Sequence, residues 1–577
     1  MFYKENRIHR MMRRLSYALI MQFSLALWFA FCLMVSYFYV VQHDPRFPAE
    51  QPWVLWVGLW ISIVSVMLWY IIKPKELTNY LNLQRWVQIV ILAWIIATCI
   101  SASVFVLAGF PDPAHVADYT LRQRFVDGVF ESVSGFTTAG GSILPSVEVF
   151  PRSILMWRSV THLIGGMGIV YMTITFLRSL GINRSEVINA ESEGPHIVHY
   201  DDEKEAIWSG FSFLKIYFLL IFILIFLLIL SWIYARIIPY QTWYDVVFDA
   251  INYAFSTIAT GGFAPYDTSV GIPTIHDGAL LIQWLQNPLS EWIIAFFMMF
   301  SGVNLWLWYE LVFLKNWKIM FRNMELKVFL ILTVLLTWGI AYSWIDYDNS
   351  LLLGDVLRWT FFSVTSVIST TGLANYDFAL WPAGSIGLLL VVYFTGSSVW
   401  STSGGIKLLR LVILVKYAFY QIKNLVNNEP MHKVKIDGVE YSVEAASIIL
   451  LNIIIYFMFF LIWGILLLEV NPIITLLDGS QIANNFTTAF GASIANLGNI
   501  WPIPSIDGVN LGPSWNYSVL NSSAKLILSL LMLLGRVGVL SLLLLFMNYK
   551  AQQKLGHKIE SVQYDEHNTE EVIHLRT

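Results

Sequence analysis

Thr137-Thr138-Ala139-Gly140-Gly141 interrupts membrane-grade apolar sequence, and three further polar, glycine-containing stretches do the same. They are Ala259-Thr260-Gly261-Gly262-Phe263, Ser369-Thr370-Thr371-Gly372-Leu373 and Ala495-Asn496-Leu497-Gly498-Asn499. Each follows a short amphipathic run and precedes a long apolar one. Irregular backbone at membrane depth is tolerated only where protein buries it or where it lines a watery cavity. Four such interruptions predict four backbone segments converging on one pore.

The rest of the chain supplies the membrane setting. Of its 577 residues, 57% are hydrophobic and only 13% charged, where a soluble domain carries about 25% charged residues. Many runs exceed the roughly 18 apolar residues that mark a spanning helix, so the expected fold is an all-α polytopic membrane protein. Cys32 and Cys99 both lie inside apolar runs, which suggests neither a disulfide framework nor a metal site. The first apolar run is too long for a signal-peptide core and reads as a retained span. No phosphate-binding glycine loop followed by lysine, no spaced metal-ligand cluster and no large cytosolic domain is present, so an enzyme is not expected.

Spans are predicted at 16–41, 52–72, 86–110, 152–177, 212–237, 281–314, 326–345, 380–415, 445–468 and 522–548. Basic clusters then give the sidedness. Lys4, Arg7, Arg10, Arg13 and Arg14 precede the first span, and further clusters include Lys73 with Lys75, Lys315 with Lys318 and Arg322, and Lys433 with Lys435. All fall on the cytoplasmic side by the positive-inside rule if both termini are inside. That assignment works only if the short amphipathic stretches near 126–138, 245–260, 356–370 and 482–496 do not cross. They are therefore expected to be re-entrant, entering from outside. The external connections hold Asp112, Asp118, Asp267 and Asp346 among others, an acidic mouth that would concentrate cations or merely solvate exposed loops.

The expected organisation is an N-terminal helix pair (1–80) and repeats at 81–185, 205–320, 325–425 and 440–550, then a cytoplasmic tail (551–577). Anchoring the repeats on Gly140, Gly262, Gly372 and Gly498 aligns Thr138, Thr260, Thr370 and Asn496 two residues earlier. Thirteen residues before the anchors stand Asp127, Asp249, Trp359 and Asn485. An acidic or capping side chain there suits the start of a short helix. Trp359 breaks that pattern, and Asp355 takes the role only if the third helix begins a turn earlier.

A dehydrated alkali cation needs oxygen ligands to replace its water, and rings of backbone carbonyls supply them. Aiming consecutive carbonyls at one axis demands conformations that a Cβ disfavours and glycine allows. A short helix ending at such a segment turns its negative end toward the axis and favours a cation. A single Thr-x-Gly is more often a kink; four at matching places argue for one site. A two-repeat carrier with broken helices is the alternative reading.

At these residues the chain resembles the Trk/Ktr/HKT superfamily of potassium transporters, and most nearly its bacterial Trk-type membrane subunits. The resemblance covers about residues 86–549. It rests on Ser134-Gly135-Phe136-Thr137-Thr138-Ala139-Gly140, Trp157-Arg158-Ser159, Gly165-Gly166-Met167-Gly168, Ser301-Gly302-Val303-Asn304, Ser403-Gly404-Gly405-Ile406-Lys407 and Leu534-Gly535-Arg536. It implies four span–pore-helix–filter–span repeats arranged pseudo-fourfold around one pore. The implied potassium filter comprises Thr137, Thr138, Ala139, Gly140, Thr260, Gly261, Gly262, Thr370, Thr371, Gly372, Asn496, Leu497 and Gly498. In plant relatives a serine at the first filter glycine accompanies sodium permeation, and four glycines here imply a potassium preference. The resemblance also implies a homodimer in a bacterial cytoplasmic membrane with a cytosolic Rossmann-like regulatory ring. Any nucleotide, NAD or ATP, is expected on that partner. Potassium is the transported ligand, with no covalent cofactor and no nucleic acid. A sodium-permeant or cation-coupled symporter of the same superfamily is the alternative, as is the channel subunit of a potassium-pumping ATPase.

Two elements bear on gating. The run 384–415 is interrupted by Thr395-Gly396-Ser397-Ser398-Val399-Trp400-Ser401-Thr402-Ser403-Gly404-Gly405, too many small hydroxylated residues for a lipid-facing helix. The resemblance makes this an intramembrane gate loop, whereas small residues at a helix–helix contact would look the same. Val399 and Trp400 are bulkier than the family's pattern. Arg536 lies mid-span, where an arginine costs at least ~2.5–3.5 kcal/mol and so faces protein or water with a partner. The resemblance places it beneath the filter opposite the loop; a structural arginine joining helix ends is the alternative. His162 on an apolar helix reads as a packed histidine rather than a proton relay. His432–Ser442, alternating around Asp437-Gly438, reads as a small cytoplasmic hairpin, similar to the family's docking region for the ring.

Overall fold

The computed structural model describes residues 83–538 apart from 113–117, 180–202, 236–242, 271–274, 277–278, 281–286, 348–349, 377–380, 428–432, 438, 476–480 and 502–515. The expected helix pair at 1–80, the N-terminal basic cluster and the tail 551–577 lie outside the described residues.

Among the described residues the chain is helical, with three small two-stranded ribbons. Helices α1 (Leu83–Leu107), α2 (Leu121–Phe136) and α3 (Arg152–Ser179) come first, then α4 (Glu203–Tyr234), α5 (Trp243–Ile258) and the ribbon β1 (Ile275–His276) with β2 (Ala279–Leu280). There follow α6 (Pro288–Ser301), α7 (Leu305–Val312), α8 (Lys318–Arg322), α9 (Met324–Tyr347), α10 (Leu353–Ile368), α11 (Ala383–Tyr393) and α12 (Leu408–Asn427). The hairpin β3 (Lys433–Ile436) and β4 (Val439–Ser442) precedes α13 (Val443–Val470). Strands β5 (Ile473–Thr475) and β6 (Gln481–Ala483), α14 (Phe486–Gly498) and α15 (Ser522–Val537) complete it.

Among the described residues, three helices are long and apolar enough to cross a membrane: Ser212–Tyr234, Met324–Tyr347 and Ala446–Val470. Their apolar side chains face outward in rows, with Phe222 and Phe226 on α4 and Ile331, Val334, Leu335 and Trp338 on α9 exposed. In water such rows would be a liability; against lipid they are the expected face. The short helices α2, α5, α10 and α14 are the reverse, buried over most of their length, serines and threonines included.

Their packing follows one scheme. Each short helix lies against the helices that flank it in its own unit. Each also meets the last long helix of another unit: α3 meets α5, α6 meets α10, α11 meets α14, and α15 returns to α2. Polar side chains bind three of these junctions. Lys525 on α15 donates to Asp127 on α2 at 2.6 Å. Arg152 and Ser159 on α3 donate to Asp245 and Asn252 on α5, the second at 2.6 Å. Glu291 on α6 pairs with Arg358 on α10 at 3.2 Å. The α11–α14 junction has no such pair, since neither helix carries a charged residue.

Two sequence-based expectations need correction. The run 281–314, read as one span, contains two helices, α6 and α7, that meet at 98°. The bend sits at Ser301-Gly302-Val303-Asn304, where Asn304 caps α7 by accepting from the Trp306 N–H at 2.8 Å. The segment 395–405 supplies the other partners: Ser398 N–H donates to Gly302 O, and Leu305 N–H to Trp400 O. The capping pattern is the second correction. Asp127 and Asp249 sit well inside α2 and α5, whose first residues are Leu121 and Trp243. Thr120 caps α2 in a capping box with Gln123, and Asp245 occupies the first turn of α5. Asp355 is in the first turn of α10, which begins at Leu353, and Trp359 is interior. Only Asn485 caps as read, accepting from Thr488 N–H at 2.8 Å.

Candidate functional site

The four short helices end alike. Ala139, Gly261, Thr371 and Ile500 each donate a backbone hydrogen bond five residues back, to Ser134, Ser256, Ser366 and Ala495, at 2.8–2.9 Å. The residue before each donor, Thr138, Thr260, Thr370 or Asn499, is left-handed, with φ of 54°, 55°, 59° and 53°. This is a Schellman-type termination. Glycine or asparagine usually fills its left-handed position, and a β-branched residue there is a genuine outlier. Three threonines in that conformation at equivalent places are strained backbone of the kind that clusters at functional sites.

Two residues beyond each threonine the backbone turns again. Gly140, Gly262 and Gly372 have φ of 78°, 96° and 85°. A Cβ on Gly140 would fall 2.3 Å from Gly261 O, one on Gly262 2.4 Å from Thr371 O, and one on Gly372 2.5 Å from Trp501 O. Each glycine thus lets its segment close against a carbonyl of the next unit, in the order first, second, third, fourth. The segments are fully buried except at a cavity of about 130 Å³ bounded by Gly140, Gly262, Gly372, Trp501 and Asp267. Backbone carbonyls brought together at the negative ends of four helices make a place suited to a cation.

The structure moves the fourth register by three residues. Gly498 lies inside α14, and Asn499 takes the left-handed position. Asn496 and Leu497 are helical too: Asn496 Nδ2 donates to Ala492 O at 2.8 Å and to Tyr517 Oη at 2.5 Å. The residue matching Gly140, Gly262 and Gly372 is Trp501, which is not among the positive-φ residues. The expectation of four glycines at that level is therefore corrected to three. Anchoring on glycine misled because asparagine also tolerates the left-handed region. In the first segment, Thr137 spends its hydroxyl on Val133 O at 2.7 Å, and Ala139 is buried.

Beneath these segments lies 395–405, an irregular coil between α11 and α12. Gly396 N–H donates to Ile406 O at 2.7 Å. Ser397, Ser401 and Ser403 share a hydroxyl cluster. Thr402 Oγ1 meets Thr260 Oγ1 at 3.2 Å, and Gly404 N–H donates to Thr370 Oγ1 at 2.8 Å. A Cβ on Gly404 would fall 2.4 Å from Gly498 O, and Gly405 turns at φ 70°. Arg536, buried, donates to Thr402 O at 2.7 Å and to Gly165 O at 3.4 Å. The coil thus contacts the second, third and fourth units directly, and Arg536 ties it to the first. Trp400, expected with this group, is left-handed at φ 61°, and its ring packs on Phe213 at 6.1 Å with the planes tilted by 56°.

The hairpin forms as read, β3 and β4 pairing antiparallel through Ile436 and Val439 with Asp437 at φ 50°. Sequence reasoning missed its link to the coil. Val434, Ile436 and Tyr441 share one hydrophobic cluster with Val399. Asp437 accepts from Met324 N–H at 2.9 Å, and Glu325 accepts from Val399 N–H at 2.8 Å. Burial, then the Glu325 and Asp437 carboxylates, push the Tyr441 phenol up. His162 is fully buried and stacks on Phe263 at 4.2 Å against Gly261, a packing role. Also missed was Glu131, which accepts from Arg158 Nε at 2.8 Å and from Ile143 N–H at 3.0 Å and so fixes the chain after Gly141.

The sequence model of the TrkH family, described as a cation transport protein, matches residues 56–558. The chain is 28% identical over 494 residues to the Trk system potassium uptake protein TrkG of Escherichia coli (strain K12), covering 83% of this chain and 88% of that protein. It is 28% identical over 498 residues to TrkH of Salmonella typhimurium (strain LT2), covering 84% and 89%. The crystal structure of the potassium transporter TrkH from Vibrio parahaemolyticus superposes with a TM-score of 0.72 at 22% identity, over 92% of this chain and 98% of that one.

Proposed function

The chain belongs to the TrkH family of cation transport proteins, a family of transporters and not of enzymes, and from that premise we propose that it takes up potassium across a bacterial cytoplasmic membrane. The observation that carries this reading is the contact series from Gly140 to Gly261 O, Gly262 to Thr371 O and Gly372 to Trp501 O. It supports a filter in which carbonyls of four convergent segments replace the water shell of a monovalent cation. Gly140 at the first position supports potassium over sodium, following the resemblance to relatives in which serine there accompanies sodium permeation. The names of the curated relatives, Trk system potassium uptake proteins, support the same ion.

Transport proceeds in three stages on this reading. Hydrated potassium collects at the cavity beside Asp267 and is stripped at the ring of segments. It then waits above the coil 395–405, where Arg536 opposes its passage with a fixed positive charge. Displacing the coil opens the path. The hairpin is the docking place of a cytosolic nucleotide-binding ring, and NAD or ATP acts there, not on this chain. A homodimer, with both termini cytoplasmic, completes the arrangement.

The test is flux from liposomes holding the purified chain, comparing potassium with sodium, with and without a Trk-type nucleotide-binding partner. Potassium flux well above sodium, altered by the partner with nucleotide, is expected. Equal flux of both ions would remove the filter reading, and proton flux stoichiometric with potassium would move the mechanism to coupled symport.

A further inference from the structure

In three units the ring position two residues past the left-handed turn is a glycine; in the fourth it is Trp501. We propose that Trp501 is a specificity-determining residue of this filter, an indole wedge that fixes the width of the ring and so sets which monovalent cations pass.

The proposal rests on the filter reading above and adds one side chain to it. The contact series that begins at Gly140 ends at Trp501 O, so the tryptophan backbone is part of the ring. Its register is slid by one residue there. The second and third units offer the carbonyl directly after the left-handed residue, Gly261 O and Thr371 O, whereas the fourth offers the next one along. The following Pro502 explains why the chain does not turn as the glycines do, because a residue before proline is biased to extended conformations. Trp501 is 7% exposed and lines the cavity with Gly140, Gly262 and Gly372.

What backs the indole makes it stiff. Its ring packs on Tyr517 at 4.9 Å, and Tyr517 packs on Phe130 at 5.2 Å. Tyr517 is held at both ends: its N–H donates to Ser142 O at 2.8 Å, and its hydroxyl accepts from Asn496 Nδ2 at 2.5 Å. The pair abuts the first unit at Gly141, where a Cβ would fall 2.8 Å from the Tyr517 ring and 3.5 Å from the indole. The aromatic wedge therefore spans the seam between the fourth and first units. Closely packed aromatic interiors resist displacement. A ring buttressed this way cannot widen for a larger ion or settle around a smaller one as a fourth glycine segment would.

The experiment measures potassium, sodium, rubidium and caesium flux from liposomes containing the full chain, in wild type and in Trp501→Gly, Trp501→Leu and Trp501→Phe. Trp501→Gly and Trp501→Leu should lower the potassium-to-sodium ratio and raise caesium relative to potassium by about tenfold, the scale on which a filled pocket discriminates. Trp501→Phe, which keeps an aromatic wedge, should stay within about threefold of wild type. Leucine keeps bulk and helps the chain fold should the glycine variant fail. A selective wild type whose folded glycine or leucine variant keeps both ratios within about twofold overturns this inference alone. A wild type with no potassium preference overturns the filter reading and this inference with it.

Discussion

Glu325, at the first turn of α9, accepts a hydrogen bond from the backbone N–H of Val399 at 2.8 Å, with both residues buried. The bond fastens the middle of the coil 395–405 to a helix whose own first N–H, that of Met324, is held by Asp437 of the hairpin. One buried and one exposed hydrogen bond, with one hydrophobic cluster, therefore join the hairpin to a coil that contacts the convergent segments.

Glu325→Ala should loosen the coil and raise basal potassium flux. Leaving the Val399 N–H without its acceptor costs about 1–3 kcal/mol, and each ~1.4 kcal/mol is a tenfold change in an equilibrium. Glu325→Gln keeps a carbonyl acceptor and should behave near wild type. Rubidium uptake into liposomes measures both, and equal flux in the two variants would detach the carboxylate from gating.

Arg536→Ala should also increase flux, for a different reason. The guanidinium bonds Thr402 O and, on the proposed reading, also places a positive charge on the ion's path. Arg536→Lys retains the charge and should stay slower than alanine in the same assay. Alanine flux equal to wild type in a well-folded protein would make Arg536 a structural tie between units.

The junctions between units predict a stability pattern. Removing one partner of the buried Lys525–Asp127 pair, as in Asp127→Ala, leaves a buried charge alone and should cost about 3–5 kcal/mol. Replacing both with Leu and Met of similar volume should recover most of that loss. Thermal unfolding in detergent provides the comparison, and additive losses in the double variant would contradict it.

Gly372 and Gly498 separate the register of the structure from one anchored on Gly498. Gly372→Ala forces a side chain into φ 85° and against Trp501 O, so selective flux should collapse. Gly498→Ala, in a helix, meets the flexible tip of Ile500 at 3.2 Å and Tyr393 O at an ordinary 3.4 Å, and should be tolerated. Loss of selectivity in Gly498→Ala with retention in Gly372→Ala would reverse the assignment.

Much of this architecture was legible because membranes restrict backbone so severely. Long apolar runs at 212–237, 326–345 and 445–468 had little choice but helix, and serines and glycines in 395–405 marked a break. Asp437-Gly438 announced the hairpin. The bend between α6 and α7 was hidden because both arms are apolar and the partners that stabilise it lie about a hundred residues later, at Ser398 and Trp400. Sequence misplaces the fourth segment because glycine is not the sole residue that tolerates a positive φ: Asn499 fills the turn and Gly498 stays helical. The equivalence of Thr138, Thr260 and Thr370 is legible from their place two residues before the glycines, whereas their left-handed backbone carries no sequence mark and only the structure reveals it.

The most direct test of the central claim, that convergent backbone segments choose the ion, is the potassium-to-sodium flux ratio of Gly140→Ser against wild type in the same liposomes. A serine Cβ would collide with Gly261 O at a φ of 78°, so the account predicts a wild type that favours potassium and a variant that admits sodium. An unchanged ratio in folded Gly140→Ser protein would contradict it.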